Sequence, residues 1–172
     1  TTTYPNTTKI AGPNFRSFTP TTSTMRRFPR LADHVANGVN GNMWEIVPGV
    51  SRTLNFRFTV RDNRAGGACN ESDNMTVVFD SAYGPFAVTS QNTSGISWAI
   101  GSTQTITWSV NNTTALAGSA NVNILLSTDG GVTFPITLIA NTPNDGTQTI
   151  TVPDALSTNC RLLIEPTGND YY

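Results

Sequence analysis

The sequence predicts an all-β protein built from two tandem β-sandwich domains, and three observations predict it. Charged residues make up only 12% of the 172 positions, against about 25% in an average globular protein. Thr, Ser, Asn and Gly fill the difference: Thr is β-branched and suits a pleated, half-buried surface, while Asn, Gly and Pro favour turns. Apolar and polar residues also alternate with period two in several separate runs, the signature of strands with one buried face. Finally, no run of ten or more residues carries a helical period. Three Trp, eight Phe and the apolar runs argue against disorder. A hydrophobic content of 37% suits two thin cores rather than a large α/β enzyme.

In chain order, residues 1–30 are rich in Thr, Pro and Arg. Gly12–Phe18 and Met25–Arg30 read as extended or edge segments, because proline is confined to strand starts, edges and loops. Leu31–Ala36 reads as one short helical turn stopped by Asn37-Gly38. Trp44–Val47 reads as a short strand. Leu54, Phe56, Phe58 and Val60 alternate with polar neighbours, Arg61–Asn74 reads as a long polar loop, and Met75–Phe79 as the return strand. The expected core of this half is Trp44, Leu54, Phe56, Phe58, Val77 and Phe79. Ser81–Pro85 is turn-forming and separates two complete patterns, so the domains are expected at 1–83 and 84–172.

In the second half Phe86–Thr89 opens the pattern. Ile106, Trp108 and Val110 alternate, as do Val122, Ile124 and Leu126. Asp129-Gly130-Gly131 and Asn144-Asp145-Gly146 supply turns, and Ile136–Ile139, Thr147–Val152 and Arg161–Glu165 complete the set. Strands at such intervals with turns between them read as an immunoglobulin- or fibronectin-III-like sandwich. The closing residues Asn169–Tyr172 read as the start of a truncated last strand, and the chain as a processed or excised piece of a larger protein.

Several chemistries are excluded or weakened by composition. The single histidine, His34, makes a two-histidine zinc site impossible. A serine-hydrolase triad would have to use His34, with no Gly-x-Ser-x-Gly elbow to accompany it. No Gly-rich phosphate loop precedes a helix. The net charge of −1 gives no global field for nucleic acid, so no nucleic-acid partner is expected. Charge is uneven, however: residues 1–83 carry 9 basic and 6 acidic side chains, and residues 84–172 carry 1 and 5. Arg26 and Arg27 lie in the basic half and are candidate binding residues. No apolar run approaches the length of a membrane helix.

Three candidate features remain. Asp62, Asn63, Glu71 and Asp73 gather around the expected loop, and carboxylate and amide oxygens are calcium ligands, although the spacing is not that of an EF-hand. Trp98, after a Ser-Gly-Ile-Ser loop, and Tyr83 are candidate exposed rings for stacking a sugar. Cys69 and Cys160 lack metal-ligand spacing and are read either as one disulfide or as separate thiols.

Several segments in this order also resemble a known family. They are Gly12-Pro13-x-Phe15-Arg16-Ser17, Arg27-Phe28-Pro29, Trp44-Glu45, Ser51–Arg57, Val60-Arg61-Asp62-Asn63, Gly84-Pro85-Phe86, Thr107-Trp108, Leu126–Gly131 and Asn144-Asp145-Gly146. Together they resemble the non-catalytic region that follows the catalytic domain of secreted bacterial reprolysin-like zinc metalloproteases. The resemblance implies an extracellular or cell-surface location and an accessory role as spacer, stabiliser or substrate-engaging module. It places the zinc and the catalytic residues outside this chain, which itself is expected to be non-enzymatic and to hold no cofactor other than a candidate calcium ion. The implied partners are other domains of the same polypeptide and an extracellular protein or polysaccharide. A carbohydrate- or matrix-binding adhesin module is the alternative, and a hydrolase centred on His34 is the third reading.

Overall fold

The computed structural model of the chain describes residues 4–22, 25–38, 42–62, 64–67 and 69–171. Strands dominate it. A short helix α1 (Leu31–Asn37) is followed by β1 (Arg52–Arg61), β2 (Asn70–Phe79), β3 (Ala87–Val88), β4 (Thr103–Ser109), a 3-10 turn (Thr113–Ala115), β5 (Asn121–Ser127), β6 (Ile136–Pro143), β7 (Thr147–Thr151) and β8 (Arg161–Pro166). The chain divides into two compact units, one of Thr1–Arg30 with Asn37–Ser81 and one of Leu31–Ala36 with Ala82–Tyr172. The division falls two residues before the expected boundary, and the short helical segment belongs with the second unit. There Val35 lies against Gly131.

In the first unit, β1 and β2 form a two-stranded antiparallel ribbon, and it is the only sheet among the described residues of that unit. The pairing runs from Arg52↔Phe79 to Arg61↔Asn70. Because side chains alternate across a strand, Leu54, Phe56, Phe58 and Val60 share one face with Val77, Met75, Asp73 and Glu71. At the base this face is covered. Leu54 is 7% exposed, and the rings of Phe56 and Phe79 meet Phe15 and Phe28 at centroid separations of 5.1–6.5 Å. Arg52 pins the covering segment by donating to the carbonyls of Lys9 (2.7 Å) and Gly12 (2.6 Å) and to Asn14 Oδ1 (3.1 Å). At the tip the same face is open: Phe58 is 70% exposed, and Val60 and Met75 are also exposed.

Three expectations are corrected here. The return strand begins at Asn70, so the last five residues of the expected long loop, Asn70–Asn74, lie in β2. Their polar side chains carry no hydrophobic signal because a two-stranded ribbon buries little, and the pairing rests on the backbone ladder. Trp44–Val47 is not a strand. Asn42 and Glu45 exchange two backbone hydrogen bonds of 3.1 Å, and Asn42 Oδ1 accepts from the Trp44 N–H at 2.7 Å. This side-chain turn points Glu45 inward and leaves Trp44 exposed, and Phe58 is exposed at the open tip of the ribbon, so neither ring is core.

In the second unit β3-β4-β7 and β6-β5-β8 form two three-stranded antiparallel sheets. Ile106 and Trp108 from β4, Ile150 from β7, Val122 and Ile124 from β5 and Ile164 from β8 make one core cluster. The alternation expected around Ile106 and Val122 is observed in the burial of β4 and β5.

A buried polar hub accompanies this core. Asn144, 3% exposed, accepts the indole N–H of Trp108 at 2.8 Å through Oδ1 and donates through Nδ2 to the Ser119 carbonyl at 3.0 Å and to Thr113 Oγ1 at 3.3 Å. The carbonyl of Gly118 (φ +75°) accepts the Gly168 N–H at 2.9 Å, and a Cβ on Gly118 would lie 1.9 Å from Gly168 O.

Candidate binding surface

The first unit presents a cationic and aromatic surface built on irregular chain. Glu45 is fully buried; one carboxylate oxygen pairs with the Arg26 guanidinium, and the other accepts the Arg30 backbone N–H at 3.0 Å. The pair anchors a ladder of cations and rings. The guanidiniums of Arg30, Arg26 and Arg16 lie 4.0, 4.8 and 4.9 Å from the centroid of Phe18, and Arg16 also lies 5.5 Å from that of Trp44. Such contacts are electrostatic attractions to the ring quadrupole, worth about 0.5–1 kcal/mol each where exposed. Tyr4 meets Trp44 edge to face at 5.3 Å.

Beside this ladder lies a cavity of about 220 Å³ lined by Tyr4, Pro5, Lys9, Pro13, Phe15, Arg16 and Trp44. Its walls are fixed from below. Asn14, fully buried, donates to the carbonyls of Ile46 (3.0 Å) and Asn6 (3.3 Å), and Lys9 Nζ donates to the Pro13 carbonyl at 3.2 Å. A second concavity, of about 260 Å³, sits at the ribbon tip among Phe58, Val60, Glu71, Ser72 and Asp73.

The residues picked from sequence fall in different places. Asp62 closes the ribbon loop by accepting the backbone N–H groups of Arg64 (3.1 Å) and Cys69 (3.4 Å). Glu71 and Asp73 lie on β2, not in the loop, and Asn63 is outside the described residues. Among the described residues no group of three or more His, Cys, Asp and Glu is placed to hold a metal ion. Cys69 and Cys160 are exposed free thiols, one in each unit. Trp98 is half-buried and packs against the core of the second unit rather than standing exposed, and Tyr83 is half-buried. Neither lines either cavity. Arg26 belongs to the cationic ladder, and Arg27 is half-buried beside it in the chain. His34 is half-buried on α1.

Sequence reasoning missed Tyr4, Lys9 and Arg16 as site residues. They sit in proline-rich chain without periodicity, and only the signal of Arg near aromatic residues was available. Asp129, read as a turn residue, is one: its carboxylate accepts from Ser127 Oγ and Thr133 Oγ1 (2.6 Å each) and from the backbone N–H groups of Thr133 and Val132 (3.0 Å). Led by the Ser127 hydroxyl, then the Thr133 hydroxyl, these donors hold its carboxyl well below the usual aspartate range.

No helix among the described residues is long and apolar enough to cross a membrane. Comparison with protein-family models, with curated proteins and with solved structures finds no match. Fold and site define the class as a mainly β protein whose cation-rich aromatic surface lies in its first unit.

Proposed function

We propose that the chain is a non-catalytic accessory and interaction region of a larger secreted bacterial protein. On the resemblance of its segments that protein is a zinc metalloprotease. The second unit is read as an immunoglobulin- or fibronectin-III-like sandwich, and the first as a sandwich-like module whose contact surface completes its core. The observation that carries the reading is the ribbon face that continues past its own aromatic cover into exposed Phe58, Val60 and Met75. A contiguous exposed apolar strip marks a contact site. Glu71 and Asp73 share that face, so the complementary surface is a neighbouring domain of the same polypeptide presenting apolar side chains beside lysine or arginine.

The first test is the reading frame flanking the chain. A secretory leader and a His-Glu-x-x-His-x-x-Gly-x-x-His segment upstream are expected. Further β-repeats with no catalytic domain would sink the protease assignment. Phe58→Glu is then made in the full polypeptide. It is expected to lower the melting temperature of the neighbouring domain and to leave that of the isolated chain unchanged. Equal behaviour of variant and parent in the full polypeptide would remove the contact surface from this face.

A polysaccharide-binding adhesin module is the second reading. What favours it is the exposure of Tyr4 and Trp44 around the cationic cavity, in place of the Trp98 and Tyr83 pair expected from sequence.

A further inference from the structure

We infer that the cavity bounded by Tyr4, Phe15 and Trp44, with Lys9 and Arg16 at its rim, binds a carboxylate-bearing sugar ring of an acidic polysaccharide. The inference deepens the polysaccharide reading and does not depend on whether a protease lies in the same polypeptide.

Three features select this ligand. The walls are aromatic and proline side chains, which suit the C–H face of a pyranose, since an aromatic ring offers an apolar face of negative potential. The described residues that line it include two cations, Lys9 and Arg16, and no acid. The one acid of the adjoining ladder, Glu45, is buried against Arg26, so the open side of the surface is positive and fits an anion. The Arg16 guanidinium lies 4.9 Å from the Phe18 ring centroid and 5.5 Å from that of Trp44, so the rings hold a charge at the cavity whose five N–H donors suit a carboxylate.

A peptide fits less well. Peptide recognition relies on main-chain pairing or on a run of side-chain pockets. Here Pro5 and Pro13 have no N–H, and the carbonyls of Lys9, Gly12 and Pro13 already accept from Arg52 and Lys9. A cavity of about 220 Å³ holds one ring rather than a chain. The cavity is also preorganised. Asn14 and Arg52 fix the loop that forms its floor, so little ordering accompanies binding.

The test is titration of the whole chain with oligogalacturonate, followed by Trp fluorescence and calorimetry, in parallel with its methyl ester and with a neutral galactan oligomer. Oligogalacturonate is expected to bind and the ester to bind at least about tenfold more weakly, with the acid's affinity falling as salt rises. Lys9→Gln and Arg16→Gln should each weaken binding roughly three- to tenfold. Trp44→Ala should abolish it, with Trp44→Phe restoring most of it. Arg57→Gln, on the opposite face of the ribbon, should change nothing. Circular dichroism and melting confirm that each variant is folded; if Trp44→Ala is not, the two rim variants decide.

Equal binding of acid, ester and galactan overturns the acidic-sugar inference and leaves a neutral-sugar module. Absence of all sugar binding at millimolar ligand overturns both. Binding of a Pro-rich peptide at this cavity in preference to the sugar overturns it in favour of a protein partner.

Discussion

Replacing Asn144 by alanine removes a side chain that Trp108, Ser119 and Thr113 all use. The hub is buried, with Asn144 at 3% and Trp108 at 4% exposure, so water cannot replace it without opening the core. An orphaned buried donor costs about 1–3 kcal/mol. The Trp108 indole N–H would be one such group and the Ser119 carbonyl a weaker second, since the Thr113 hydroxyl keeps its bond to the Val110 carbonyl at 2.6 Å. The expected loss is therefore about 2–4 kcal/mol, a fall in melting temperature of roughly 10–25 °C for a unit of this size. Urea melts followed by circular dichroism, with Trp fluorescence alongside, measure it. Trp108→Phe removes the donor itself, so in that background Asn144→Ala should cost at least about 1 kcal/mol less. A single-variant loss below about 0.5 kcal/mol, or strict additivity of the two changes, would refute the argument that one amide satisfies the indole.

Three further outcomes are expected. Gly118→Ala should destabilise the second unit by more than about 2 kcal/mol, because positive φ and the 1.9 Å approach of Gly168 O leave no room for Cβ; a melting temperature near the parent's would contradict this. Gly67→Ala, at a loop site with nothing within 4 Å and no positive φ, should instead be neutral or stabilise by about 0.4–1 kcal/mol, read from the same melts. Asp129 predicts an acid dependence with a definite sign. Its folded carboxyl titrates below the unfolded value, so its contribution is complete above about pH 4 and is lost as pH falls below that toward the folded value. The melting difference between parent and Asp129→Asn should be constant from neutral pH to about 5 and should narrow below 4; a gap unchanged down to strong acid counts against the hydrogen-bond cause.

What was legible in the sequence follows from where burial is one-sided. β4, β5, β7 and β8 each turn one face into a shared core, so their alternation marks them and their inward residues. The first half of β2 carries no apolar side chain of its own, and Asn70–Asn74 accordingly read as loop. Trp44 was misplaced because the Asn42 side chain, not hydrophobic pattern, decides the local turn. Asn144-Asp145-Gly146 looks like a turn and is one, but only packing shows that the amide of Asn144 serves the indole of Trp108. The cavity joins Tyr4 to Trp44 across 40 residues of chain without a period. Its parts were visible as aromatic and basic residues, and their meeting was not.

The two-stranded ribbon of the first unit also sets how its backbone meets solvent. In a two-stranded ladder every second amide of each strand bonds its partner and the others point outward. β1 and β2 should thus show hydrogen exchange that alternates along the chain, fast and slow at neighbouring residues. Any third strand that docked against either edge would erase that alternation on one side alone, so amide exchange would name the edge it occupied.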